Sequence, residues 1–162
     1  MSQNSTSRHN LPSKDGAFQP LQLEDFLPYR LAVLASEVSQ GFAQIYGAKF
    51  DLSIPEWRVL ATLGQFATVT ARDICRHSRM HKTTVSRAVA TLEKRGLVTL
   101  RTNLDDMREV FLTMSEAGRQ IYTQIVPMAR SFENALCKPF SQEEKVQFES
   151  LLTRLLDGMS KG

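Results

Sequence analysis

The strongest constraint in this chain is a helical stretch over residues 82–95 that stops at Gly96 and passes at once into an alternating strand. Val85, Val89 and Leu92 recur at three- and four-residue steps, which puts them on one helical face. Gly96 follows where a helix end calls for a left-handed residue. Leu97-Val98-Thr99-Leu100-Arg101-Thr102 then alternates as a strand, residues 103–108 form a polar turn, and Glu109-Val110-Phe111-Leu112 reads as the return strand.

The flanking segments are helical. Over residues 24–46, Leu27, Leu31, Leu34, Val38, Phe42 and Ile45 share one face, Pro28 sits harmlessly in the first turn, and Gly47 with the polar stretch after it is expected to close the helix. Ser53-Ile54-Pro55-Glu56 has the spacing of a capping box and opens a helix through Trp57, Val59, Leu60 and Leu63. Thr70-Ala71-Arg72-Asp73 repeats that signal for a short helix ending near His77. After the hairpin, Thr113-Met114-Ser115-Glu116 reads as another capping box before a long helix carrying Ile121, Ile125, Met128, Phe132 and Leu136, which Pro127 is expected to bend or break. Ser141-Gln142-Glu143-Glu144 starts a last helix with Phe148, Leu151, Leu152, Leu155 and Leu156.

A long helix, three shorter helices, a hairpin with a charged tip and two long helices make a mainly α chain with a small β-hairpin wing. That order is a winged helix-turn-helix, about residues 53–113. The terminal helices, about 24–47 and 114–159, cannot all bury their apolar faces on so small a core. A homodimerisation platform built from both ends of the chain is the economical solution. Residues 1–22, polar and containing Pro and Gly, read as a disordered arm, leaving 23–162 as a single domain.

Charge narrows the class of partner. Residues 71–108 hold nine Lys or Arg against four acids, a local +5, while the chain as a whole is +3 and the remainder therefore −2. A basic middle between acidic flanks suits a polyanion, although a solvated charged face would look the same. No apolar run is long enough for a membrane helix, the N-terminus lacks a secretory pattern, and two cysteines make no disulfide framework, so a cytoplasmic protein is expected. No P-loop, dinucleotide fingerprint, nucleophile elbow or metal-ligand spacing occurs, so neither catalysis, nor a cofactor, nor a metal is expected.

On the helix over 82–95, Thr83, Ser86 and Arg87 lie opposite Val85, Val89 and Leu92. Short hydroxyls and an arginine on the N-terminal half of a helix suit the major groove of double-stranded DNA, where Arg reads guanine and Thr touches a thymine methyl. Lys82 and Thr84 sit at the helix N-terminus, where free N–H groups favour phosphate. Thr and Ser could instead simply cap the helix. Arg72, Arg76 and Arg79 are placed for phosphates. Arg108, at the hairpin tip, can enter a narrow minor groove, or can belong to an exposed hairpin of mixed charge.

The run from His81 to Arg87, continuing through Leu92-Glu93-Lys94-Arg95-Gly96-Leu97-Val98, resembles the recognition helix and first wing strand of the MarR (multiple antibiotic resistance regulator) family. Asp106-Met107-Arg108, then Leu112-Thr113 and Glu116-Ala117-Gly118, resembles that family's wing and its exit into the fifth helix. The resemblance runs from about Glu24 to Met159. It implies a triangular dimer on a pseudo-palindromic operator, commonly a repressor that lets go when a small aromatic or phenolic acid binds between lobe and platform. It also implies that His81 belongs to the DNA-contacting set and that Asp106 orients Arg108 through a salt bridge.

Tyr29-Arg30 and Trp57-Arg58 supply aromatic walls and carboxylate clamps for such an acid; Trp57 as core and the arginines as interfacial ion pairs is the competing reading. Cys75, in an Arg-rich stretch, could serve a redox-responsive regulator, but it falls beside Ile74 at an inward position. A winged-helix protein-interaction module without specific DNA binding is the remaining alternative.

Overall fold

The computed structural model describes residues 19–102 and 109–160. The expected arm up to residue 18, and Asp106 and Arg108 of the wing tip, lie outside these residues. The chain divides into two units, residues 1–36 and 37–162. The first holds a 3₁₀ turn at Leu23–Asp25 and the N-terminal part of helix α1, Leu27–Phe50, where Leu27, Tyr29, Val33 and Leu34 are exposed; the rest of α1, from residue 37, belongs to the second.

The second unit continues with α2 (Ile54–Phe66), β1 (Thr68–Thr70), α3 (Ala71–Ser78), α4 (Lys82–Lys94), β2 (Val98–Thr102), β3 (Val110–Met114), α5 (Glu116–Leu136) and α6 (Gln142–Ser160). Start signals act as the sequence implies. Ser53 and Glu56 form a reciprocal capping box on α2, and Thr70 and Asp73 form one on α3. Ser141 and Glu144 exchange the corresponding pair of bonds ahead of α6, at 2.7 and 3.2 Å. The Thr70 hydroxyl and backbone N–H hold the Asp73 carboxyl below the usual carboxylate range.

Four expectations need correction. Gly47 itself does not stop α1, which runs on to Phe50 and ends in the stretch after it, where Asp51 takes a positive φ of 50°. Thr113 does not open a capping box; it lies inside β3, and Ser115 is the N-cap of α5, accepting from the Gly118 N–H at 3.0 Å. Pro127 does not break α5, which contains it. The missing hydrogen bond is offset by packing on either side, including fully buried Ile125. The hairpin is also not alone: β1 joins it in an antiparallel sheet ordered β1-β3-β2, with Thr68 opposite Thr113 and Thr113 opposite Thr99.

Alternation places Val69 and Leu112 on the buried side of that sheet, against Leu60, Leu63, Ile74, Val85, Val89 and Leu92. Gly96 has φ +69° as expected, and the Leu97 N–H then reaches back to the Leu92 carbonyl at 2.9 Å, so α4 turns into the wing strand across three residues. Truncating a fully buried residue such as Leu92 to Ala is expected to cost about 2–5 kcal/mol. Outside this core, Leu136, Phe140, Val146, Phe148, Leu151, Leu155 and Leu156 of α5–α6 are exposed.

Candidate nucleic-acid interface

Helix α4 is two-faced. Val85, Ala88, Val89 and Leu92 are buried, while Lys82, Thr83, Ser86 and Arg87 are exposed and Thr84 is half-buried. The polar side is therefore held outward by the packing of the apolar side. His81 is the N-cap and contributes no side-chain hydrogen bond, and the first helical bond runs from the Val85 N–H to the His81 carbonyl. The hydroxyls of Thr83, Thr84 and Ser86 thus do not serve as the cap, and a helix N-terminus without a side-chain cap favours anions. Thr84 and Arg87 also line a cleft of about 200 Å³ with Ser53 and Glu56 at the start of α2.

The turn between α3 and α4 carries the other cations. Arg72, Arg76 and Arg79 are exposed. Arg76 ion-pairs with Asp73 at 2.9 Å, so part of its charge is answered within the helix. Arg79 closes α3 with φ 54° and ψ 29°, a left-handed conformation that costs a residue with a Cβ about 1–2 kcal/mol. No sequence signal marks it.

Arg95 was not among the anticipated residues. Its guanidinium donates to the Phe50 carbonyl at 2.7 Å and to that of Asp51, which joins the C-terminal ends of α4 and α1. The left-handed Asp51 presents these carbonyls, and a long-range pairing of this kind leaves no trace in local periodicity.

The anticipated ligand residues divide between the units. Tyr29 and Arg30 are exposed in the first. In the second, Trp57 is half-buried in an aromatic cluster, with ring centroids 5.8 Å from Phe42, 5.6 Å from Tyr46 and 6.0 Å from Tyr122. Trp57 therefore serves the core and, with Arg58, also lines a cavity of about 210 Å³ that includes Ser39, Phe42, Tyr46 and Phe132. Arg58 donates to the Ser39 hydroxyl at 3.3 Å. Burial pushes the Tyr46 phenol up to about 12, against a weaker opposing pull from Arg58. Phe42 and Phe132 were legible only as helix-face residues, and Tyr46 was not singled out, Ile45 being expected on that face instead; Tyr46 is buried and Ile45 exposed, and the convergence is tertiary. Cys75 is half-buried and packs against the core. Among the described residues, no helix is long and apolar enough to cross a membrane.

Comparison with known proteins agrees with this geometry. The family model described as "MarR family" matches residues 50–109. The HTH-type transcriptional regulator YdcH of Bacillus subtilis is 30% identical over 113 residues, 67% of this chain and 76% of its own length. The HTH-type transcriptional repressor IacR of Pseudomonas putida is 24% identical over 148 residues, 91% of this chain and 88% of its own. In fold, the chain is similar to an E. coli MarR cysteine-to-serine variant complexed with operator DNA, with a TM-score of 0.74 at 19% identity, covering 85% of this chain and 99% of that one. It is also similar to Bordetella bronchiseptica BpsR, whose structure concerns regulation of DNA binding by 6-hydroxynicotinic acid (TM-score 0.75, 20% identity, 86% and 99% covered). With its winged sheet, its outward polar helix and these relatives, the chain belongs to the MarR family of DNA-binding transcriptional regulators, which are not enzymes.

Proposed function

We propose that the protein is a homodimeric, cytoplasmic repressor that occupies a pseudo-palindromic operator and leaves it when a small aromatic or phenolic carboxylate binds. Thr83, Ser86 and Arg87 read base edges in the major groove, with Thr84, Lys82 and His81 at the helix start and Arg72 and Arg79 on phosphate. Arg108, oriented by Asp106, enters the minor groove. The supporting observation is the division of α4 into a buried apolar face and an exposed face of hydroxyls and cations.

Dimerisation through residues 24–47 and 114–159, flanking the winged helix-turn-helix of 53–113, is supported by the uncovered apolar residues of α1, α5 and α6, which a monomer would leave in water. The aromatic cavity with Arg58 at its edge supports the effector class, since planar walls and a guanidinium suit an aromatic carboxylate. Selection of bound sites from random duplexes, followed by footprinting with and without a panel of aromatic carboxylates, tests the reading. Two half-sites about one helical turn apart, lost on addition of one acid, are expected. A single protected patch would contradict the dimer, and binding indifferent to sequence would contradict the operator.

A further inference from the structure

A second and larger concavity, of about 400 Å³, lies where the end of α2, the β1–β3 part of the sheet and the first turns of α5 meet. Its size falls in the range of small-molecule sites. Leu63, Met114 and the ring of Tyr122 supply apolar wall, and Thr68 supplies a hydroxyl; that of Thr123 already donates to the Gln120 carbonyl at 3.0 Å. Thr113 lines it too, but its hydroxyl already pairs with that of Thr99 at 2.7 Å. One cation borders the space. Arg119 pairs with Glu116 at 3.8 Å, with both side chains mostly exposed, and so long an exposed pair holds the guanidinium weakly.

The wall is built at some cost. Ala67, which lines the concavity, has φ 60° and ψ −54°, a conformation unfavourable for any residue with a Cβ. Gly64 lets the Tyr122 ring lie directly on the backbone of α2, since a Cβ there would meet that ring. Tyr122 also stacks on Trp57, with planes 22° apart, and Trp57 borders the other cavity. The same ring therefore stands between the two spaces.

We infer that this concavity is a second small-molecule site, separate from the Trp57–Arg58 cavity, for a small carboxylate with a flat apolar body. The carboxylate lies on Arg119, with the Thr68 hydroxyl as a further donor, and the body lies against Tyr122, Leu63 and Met114. Occupancy moves Tyr122 and is felt at Trp57 through the stack. The inference stands whether or not the Trp57 cavity takes an effector.

Met114 borders this site and not the other, so its methyl group is a local reporter. The full chain, labelled with ¹³C at methionine methyls, is titrated with benzoate, and with inorganic phosphate as an anion lacking an apolar body. Met114→Leu identifies the resonance. Benzoate is expected to shift it with a dissociation constant of about 1 mM, as suits a fragment of this size. The shift should persist in Arg58→Gln and weaken about tenfold in Arg119→Gln, an exposed substitution that leaves the core intact. No shift in the wild type, an unchanged titration in Arg119→Gln, loss in Arg58→Gln alone, or an equal response to phosphate would each overturn the assignment.

Discussion

The Arg95 guanidinium donates to the Phe50 carbonyl at 2.7 Å, bridging 45 residues of sequence and tying the end of α4 to the end of α1. The last carbonyls of a helix are unpaired and carry the negative end of its dipole, so a cation there satisfies both. Arg95→Ala removes charge-assisted bonds and should destabilise the fold by about 1.5–3 kcal/mol. Arg95→Lys, which keeps charge but not the two-pronged geometry, should recover part of this. Urea unfolding monitored by circular dichroism measures both, and equal midpoints for wild type and Arg95→Ala would refute the role.

Arg87 projects from the outward face of α4, whereas Lys82 sits in its first turn. On the proposed reading, Arg87→Ala weakens operator binding by about 1–3 kcal/mol and relaxes preference at one base position. Lys82→Ala should weaken specific and random duplexes alike and reduce the log–log salt slope by about one unit. Equal losses on both duplexes for Arg87→Ala would remove its base-reading role.

Gly64 and Tyr122 occupy one space. A methyl at position 64 meets the Tyr122 ring, so Gly64→Ala should cost about 1–3 kcal/mol through overpacking. The penalty should shrink when Tyr122→Ala is present, giving a non-additive double-mutant cycle. Additive costs would mean that the ring is not what the new methyl strikes.

Tyr46 gives the stability a definite alkaline dependence. Its phenol is pushed by burial from 10.0 to about 12. Below the lower value it is neutral in folded and unfolded chains alike, and its contribution is fully present. As pH rises between the two, only the unfolded chain sheds the proton, so folding stability falls, by at most about 3 kcal/mol. Tyr46→Phe should flatten that part of the curve; a mutant as steep as the wild type in that window would show that another group is responsible.

Much of the fold was legible because it rests on short-range rules. Ser53, Thr70 and Ser141 begin helices through bonds to residues three positions on, and Gly96 ends one because its backbone tolerates a positive φ. Where two local rules competed, tertiary pairing chose. Thr113 has the side chain of a cap but sits between Thr68 and Thr99 in the sheet, and ladder bonds to two neighbours outweigh one capping bond. Gly47 offered a stop, yet α1 continues because its next turn places Phe50 against the core. A three-residue strand such as β1 is too short to show a period.

By itself, the sequence determined the order of helices, the hairpin, and the opposition of Thr83, Ser86 and Arg87 to Val85, Val89 and Leu92, since helical periodicity alone sets which residues share a face. Only the tertiary structure decided that β1 completes the sheet, that Arg95 reaches Phe50, and that Phe42, Tyr46, Trp57 and Tyr122 converge. Those contacts join residues far apart in the chain, and their geometry depends on how whole elements pack, which no local pattern encodes.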